Sequence, residues 1–309
     1  MNSLIALVGP TAAGKSRLAL HLAQTFNGEI VSADAWQIYR YMDIGTAKPG
    51  QQELALVPHH LIDIVSPDGD FSLAHYRQLA CQAIKDIQQR NKLPLLVGGS
   101  GLYVWSVLEG WEIPQVPPDP EFRRGLEEKA LRDRDGVEEL YRQLMKVDPV
   151  AARNIDPRNV RRVIRALEVC RSTGVPFSRL QRKKAPPFSA LIIGLTADRV
   201  EVYRRVDLRV DKMIETGLIE EVQKLVNMGY DFHLPAMSGI GYKQIGMFLG
   251  GEMTLTAAVQ QIKSETHRLV RHQYGWFRLK DDRIKWFDVA DNEAESKIEA
   301  QVGEFVANE

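Results

Sequence analysis

The chain has 309 residues, 44% hydrophobic and 26% charged, and its 40 basic residues balance 40 acidic ones. This is the composition of one large or two moderate folded domains, not of a disordered or collagenous chain, and zero net charge by itself names no polyanionic partner. Two cysteines, Cys81 and Cys170, lie far apart with no Cys-x-x-Cys pair, which argues against a zinc site or disulfide framework and suits a reducing cytoplasm.

The opening MNSLIALVG has no basic n-region, and its apolar run LIALV (4–8) reads as a buried strand, not a signal peptide. No apolar run approaches the length of a membrane span. Next comes GPTAAGKS, residues Gly9, Pro10, Thr11, Ala12, Ala13, Gly14, Lys15 and Ser16, a full match to GxxxxGK[ST]. Backbone N–H groups and a helix N-terminus hold phosphate oxygens in such a loop, Lys15 adds a full charge, and Ser16 is placed to ligand Mg²⁺. SRLALHLAQTF (16–26) has helical spacing, and EIVSAD (29–34) is a second strand that ends on Asp34. Asp34 is the acid at a strand's carboxyl end nearest the loop in sequence, the edge at which ligands bind in doubly wound sheets. It is a metal ligand, an acceptor contact, or simply a helix N-cap.

The run DAWQIYRYMDIGTAKP (34–49) then joins a carboxylate, an indole, an amide and two phenols to Arg40 and Lys48. Trp36 and the tyrosines suit base stacking and Gln37 suits a base edge, though each alone is more often core packing. His59–His60 reads as a surface pair. A long amphipathic helix (72–92) leads to the strand PLLVGG (94–99) and the turn GGSGLY (98–103). There Ser100 is within reach of a phosphate, unless the segment is a plain strand-to-helix turn. No acid follows that strand, so the aspartate expected of an ordinary phosphate-loop ATPase is missing.

Proline-rich stretches at 113–122 and 183–188 read as linkers around a charged helical segment. The predicted fold class is therefore an α/β, P-loop NTPase-like parallel sheet flanked by helices (1–113 and 190–309), with a helical insertion (114–189). Within residues 151–190, ten basic residues face only Asp156 and Glu168. Arg158, Arg161, Arg162 and Arg165 share one helical face, and Val160, Val163, Ile164 and Leu167 form the other. Too few acids lie near to pair these arginines, so an RNA-binding stripe is expected. The core resumes with a strand at 190–199, long helices (200–228 and 254–278) and a strand at 284–289, followed by a terminal helix. Arg205 and Arg209, four apart, are expected to converge on one anion. In 263–285, Tyr274, Trp276 and Phe277 interleave with arginines as a second nucleic-acid footprint.

Taken together, GPTAAGKS, DAWQIYR, DIGTAKP, DFSLAHYRQLA (70–80), GGSGLY, RRVIRALEV (161–169) and HQYGWFR (272–278) resemble, in order and spacing, the bacterial tRNA dimethylallyltransferase (tRNA isopentenyltransferase) family over about residues 3–288. The resemblance implies transfer of a dimethylallyl group from dimethylallyl diphosphate to the exocyclic N6 amine of the adenine 3′ of the anticodon, with Mg²⁺. It also implies that Gly9 to Ser16 hold the diphosphate and that Asp34 is the general base. Lys15, Ser100 and Arg205 or Arg209 would serve the catalytic centre. Ala35, Trp36, Gln37, Ser100 and Arg123 would contact tRNA, along with Arg161, Arg162, Val163, Ile164 and Arg165. Ser100 stands where the family has threonine and keeps its hydroxyl; Trp36 replaces a common Met, Arg161 a usual Gln, and Ser238–Gly239 an arginine-containing run. The expected partner is the anticodon stem-loop, met by a monomer with no membrane contact. The main rival is a small-molecule kinase using ATP, with Asp34 on the acceptor hydroxyl. A nucleotide-gated RNA-binding protein and a prenyltransferase acting on free adenine nucleotide are the others.

Overall fold

The computed structural model describes residues 2–308 except 133 and 181, with the backbone alone at 132 and 134. The chain divides into two compact units, residues 1–108 with 186–309, and residues 109–185. The first unit opens with β1 (Ser3–Val8), α1 (Lys15–Thr25), β2 (Gly28–Ser32), α2 (Gln51–Leu56), β3 (His59–His60), α3 (Leu73–Gln89), β4 (Leu93–Val97) and α4 (Gly101–Leu108). The second unit holds β5 (Trp111–Glu112), α5 (Pro120–Arg132), α6 (Arg134–Val147), α7 (Pro149–Asn154), α8 (Val160–Thr173), α9 (Phe177–Leu180) and β6 (Arg182–Lys183). The first unit then resumes with β7 (Ser189–Thr196), α10 (Arg199–Glu215), α11 (Leu218–Asn227), a 3₁₀ turn (Ala236–Ser238), α12 (Tyr242–Leu249), α13 (Leu255–Trp276), β8 (Ile284–Asp288) and α14 (Ala294–Ala307).

Six parallel strands form one sheet in the order β3-β2-β4-β1-β7-β8. Their continuous apolar runs, such as the fully buried Ser3–Val8, are what a sheet covered on both faces requires. One cover is α1 with α14. Leu18 and Leu22 of α1 and Ile298 and Val302 of α14 pack with Ile5, Leu7, Leu95 and Ile193, so the terminal helix belongs to the core. Each fully buried Leu or Ile there contributes about 1.5–3 kcal/mol.

Register sets up the site. Val97 pairs with Leu7 on one side and Ser32 on the other, so the turns after β1, β2 and β4 emerge side by side at the carboxyl edge. The chain order switches direction here, the place where open α/β sheets form a ligand crevice.

In the second unit, β5 and β6 pair antiparallel, and Lys184 N–H donates to the carbonyl of Gly110 at 2.9 Å. This short ribbon ends just before the first stretch read as a linker (113–122) and takes in the start of the second (183–188). The remainder is a helical core around Leu140, Leu144, Ala151, Ile155, Val163, Ile164 and Leu167. Asn159 caps α8 by accepting from Arg162 N–H, and Gly174, left-handed at φ 66°, ends it.

Candidate active site

Three turns build the site. The first is the glycine loop between β1 and α1. Gly9 has φ 132°, and a Cβ there would lie 2.3 Å from the carbonyl oxygen of Leu195, so only glycine fits. Ala12 (φ 64°) and Gly14 (φ 84°) take left-handed geometry, the backbone turn from which anion-binding nests are built. Lys15 Nζ donates to the carbonyls of Gly9 (3.0 Å) and Pro10 (2.7 Å), curling over the loop.

The second turn follows β2. Asp34 Oδ1 accepts from Trp36 N–H at 2.8 Å and, more weakly, Gln37 N–H at 3.4 Å. Its Oδ2 accepts nothing from the described residues. The carboxylate thus caps a turn with one oxygen and presents the other to the cavity. The third turn follows β4, where Ser100 Oγ accepts Ala35 N–H at 3.0 Å. Ser100 buttresses the residue beside Asp34 and does not line the cavity.

The cavity among these turns measures about 360 Å³. Its polar wall includes Thr11, Gly14, Lys15, Ser16, Asp34, Gln37 and Arg209, and its apolar wall includes Ala19, Leu20, Ile30, Ala47, Pro49, Ile62 and Val97. Arg209 reaches in from α10 and donates to Thr11 Oγ1 at 3.2 Å. Burial lowers the Lys15 ammonium to a pKa of about 8; the Arg209 charge adds to that, and Asp34 opposes it. Arg209 is itself shifted down by burial and held up by Asp34. Two desolvated cations thus share one carboxylate, a charge balance suited to an anion.

The DIGTAKP segment closes one side. Glu221 of α11 accepts the N–H groups of Asp43, Ile44 and Gly45 at 2.8–3.1 Å and the Tyr242 hydroxyl at 2.5 Å. Thr46 Oγ1 donates to the carbonyl of Met42, and Lys48 Nζ to that of Tyr39. This places Thr46, Ala47 and Pro49 on the cavity wall.

Several sequence expectations need correction. Arg205 and Arg209 do not converge: Arg205 Nε turns back to Glu201 at 2.7 Å and lines a separate cavity with Arg17 and Glu295. The Gln37 amide is occupied, accepting from Ser32 Oγ and donating to the carbonyls of Thr46 and Ala47, so it organises the loop and offers no free base edge. His59 lines the cavity and His60 bonds the buried Glu29 at 2.7 Å, so they are not a surface pair. Phe277 is fully buried and Tyr274 bonds Thr196 Oγ1 at 2.8 Å, so of that aromatic run only Trp276, 40% exposed, keeps an open ring.

The arginine stripe also divides. Glu168, 2% exposed, accepts a bidentate pair of bonds from Arg123 at 2.8 Å, a bond from Arg165, and Asp119 N–H. Arg158 pairs with Asp156. The two acids thus do pair two arginines of the stripe, and Glu168 takes Arg123 from outside it. Val163 and Ile164, 1% and 2% exposed, are core side chains and offer no side-chain surface to RNA. Arg161 and Arg162 are exposed and form no ion pair among the described residues. Trp36 packs its ring over Gly239, where a Cβ would come within 3.1 Å. Ala35 lies half-buried between Asp34 and Trp36.

Sequence reasoning missed Gln273. From α13 its Oε1 accepts Thr11 N–H at 2.8 Å, and its Nε2 donates to the carbonyl of Gly99 at 3.3 Å. The signal was a polar residue on the buried stripe Val270–Gln273–Phe277.

Fold and loop together define a phosphate-loop α/β protein carrying a helical insertion. The family described as IPP transferase matches residues 37–280. The tRNA dimethylallyltransferase of Chloroflexus aggregans is 54% identical over 286 residues, covering 93% of this chain and 96% of that one. That of Dehalococcoides mccartyi is 50% identical over 289 residues, covering 94% and 88%. Among solved structures, the tRNA isopentenylpyrophosphate transferase of Bacillus halodurans is 40% identical with a TM-score of 0.72, covering 98% of this chain and 96% of that one. A eukaryotic dimethylallyltransferase acting on tRNA is 26% identical with a TM-score of 0.85, covering 100% and 80%. The chain belongs to the tRNA dimethylallyltransferase family, as the motif resemblance implied, and none of these relatives bears a kinase name. No helix among the described residues is long and apolar enough to cross a membrane.

Proposed function

We propose that the protein transfers the dimethylallyl group of dimethylallyl diphosphate to the N6 amine of the adenine 3′ of the anticodon in tRNA. The observation that carries this reading is the pairing, in one cavity, of a phosphate loop with two desolvated cations and an apolar wall beside a half-free carboxylate. A diphosphate fits the polar end and a five-carbon chain the apolar one.

The adenine amine is a weak nucleophile because its lone pair is conjugated with the ring. Transfer therefore depends on stabilising the leaving group and removing the amine proton. The loop N–H groups, Lys15 and Arg209 take up the charge that develops on the diphosphate as the C–O bond breaks. Asp34 Oδ2 accepts the amine proton as nitrogen attacks the allylic carbon. The bond to Ala35 N–H makes Ser100 a buttress for that turn. Water would trap an allylic cation, so extruding the base into the cavity both delivers the nucleophile and closes the entrance. The exposed Arg161 and Arg162 bind stem-loop phosphates.

Mg²⁺ fits the donor set. Ser16 offers a hard hydroxyl oxygen on the same cavity, and Mg²⁺ takes one or two such protein ligands alongside substrate phosphates. When bound it would neutralise diphosphate charge. The deciding experiment incubates the protein with labelled dimethylallyl diphosphate, Mg²⁺ and unmodified tRNA, then digests the RNA and looks for prenylated adenosine. Label confined to the free diphosphate overturns the reading.

A further inference from the structure

Past the end of the β-ladder, one side chain ties the two halves of the reaction centre together. The last backbone bond between the β1 and β4 ends is Gly98 N–H to the carbonyl of Leu7, at 3.2 Å. Beyond it the strands feed different turns, Thr11 into the phosphate loop and Gly99 into the turn that carries Ser100. The Gln273 amide spans that gap, accepting Thr11 N–H at 2.8 Å and donating to the carbonyl of Gly99 at 3.3 Å. It is 7% exposed, and a Cβ on residue 99 would lie 2.2 Å from its Nε2, so glycine at 99 makes room for this contact. From Gly99 the connection runs on through Ser100 Oγ to Ala35 N–H, next to Asp34. From Thr11 it runs to Arg209, which donates to the threonine hydroxyl.

We propose that Gln273 is a positioning residue that sets the register between the loop gripping the diphosphate and the turn bearing the general base. The inference rests on the function proposed above. An amide suits the task because it carries an acceptor and a donor on one rigid plane, and here both point at backbone groups that have run out of sheet partners. Methionine keeps the volume and loses both bonds. Glutamate keeps the acceptor but sets an oxygen against the carbonyl of Gly99 until it is protonated. A small misplacement of the reacting groups costs about 10²-fold, so the loss should appear in the transfer step and not in RNA binding.

The test compares full-length wild type, Gln273→Met and Gln273→Glu in single-turnover transfer to tRNA, with thermal melts fixing a temperature at which all three are folded. Titration with inorganic pyrophosphate and Mg²⁺ reports the loop without chemistry. For Gln273→Met, transfer should slow roughly 10- to 100-fold. Its pyrophosphate affinity should weaken by roughly three- to tenfold and tRNA affinity stay within about twofold, since the Thr11 contact belongs to the loop and no RNA contact is lost. For Gln273→Glu, the rate relative to wild type should climb as pH falls toward 5, because the protonated carboxyl regains a donor. A folded Gln273→Met with wild-type transfer rate and pyrophosphate affinity overturns the proposal, as does a Gln273→Glu to wild-type ratio that stays flat with pH. Prenylation by wild type is a separate readout: its absence sinks the proposed reaction, whereas unequal pyrophosphate binding by wild type and variant still bears on Gln273 alone.

Discussion

Lys15 and Arg209 in the cleft, and Arg123 and Arg165 in the insertion, are four basic residues in or near sequence motifs, yet they sit in opposite electrostatic situations. In the insertion, two guanidiniums close on the buried Glu168 and their charge is spent inside the fold. In the cleft, two cations face one carboxylate, and burial pulls both of their pKa values down. A cation whose charged form is disfavoured by its surroundings gains most from an incoming anion. A cation already forked onto a carboxylate gains little. Motif membership alone does not separate the two cases; the count of carboxylates around each does.

The sharpest way to break this comparison is to neutralise Asp34, the carboxylate on which both cleft cations lean. Asp34→Asn keeps the turn-capping acceptor and removes the base, so single-turnover transfer should fall about 10²–10⁴-fold with tRNA affinity within a few-fold. Next come Lys15→Met and Arg209→Gln, each expected to lower transfer by about 10²–10³-fold, the usual loss for one group that stabilises developing charge. Arg205→Gln serves as the contrast and should change transfer by less than about threefold, since its partner is the surface acid Glu201. Equal losses at 205 and 209 would erase the distinction between spent and waiting charges.

Acidity sharpens the same contrast. With the Lys15 ammonium at about 8, its charged fraction falls as pH rises through that value. Donor kcat/KM should therefore drop by about tenfold per pH unit above roughly 8, a limb that Lys15→Arg should move out of range. Glu168 behaves oppositely. Burial pushes its carboxyl up, but hydrogen bonds from Arg123, Asp119 N–H and Arg165 outweigh this and hold it below the usual carboxylate range. Its folded pKa lies below the unfolded value, so its stabilisation is fully present above about pH 4.3 and is lost as pH falls through the lower folded value. Glu168→Ala should cost about 2–3 kcal/mol in urea unfolding at pH 7. That is below the full penalty of a broken buried pair, because both arginines reach solvent. The difference from wild type should shrink in acid.

The sequence disclosed those parts of the site that are local. Strand, loop and helix around residues 9–16 follow from one apolar run and one motif, and Asp34 and Ser100 from their places at strand ends. Strand order was not legible, because no local pattern says that β4 separates β1 from β2. Gln273 was hidden for the same reason: its partner Thr11 is 262 positions away, and on a helical wheel it is merely a polar residue on an apolar stripe. Arg205 misled because shared helical phase fixes where a side chain starts, not which neighbour it meets, and Glu201 one turn back claimed it. Within the aromatic run 274–277, Phe277 misled because composition was weighed before periodicity. The alternation of Val270, Gln273 and Phe277 marks a buried face whatever the arginines between them suggest.

The smallest expected effect tests what remains of the arginine stripe. Of the ten cations in 151–190, Arg158, Arg165, Arg171 and Lys183 have acidic partners, and Arg153, Arg161, Arg162, Arg179, Arg182 and Lys184 are exposed with no ion pair among the described residues. Exposed cations add affinity for RNA mainly by releasing counterions, so each one removed should flatten the salt dependence by about one unit of log–log slope and weaken binding alike for different tRNA sequences. Arg161→Gln with Arg162→Gln should thus lose about two units of slope. Replacing Arg158 should change the slope by less, since its charge is already neutralised by Asp156 and displaces fewer counterions from the RNA. Filter binding of unmodified tRNA across a salt series reads both. An unchanged slope in the double variant would show that this helix face is solvated charge and nothing more, and the RNA-binding part of the reading would have to move elsewhere on the protein.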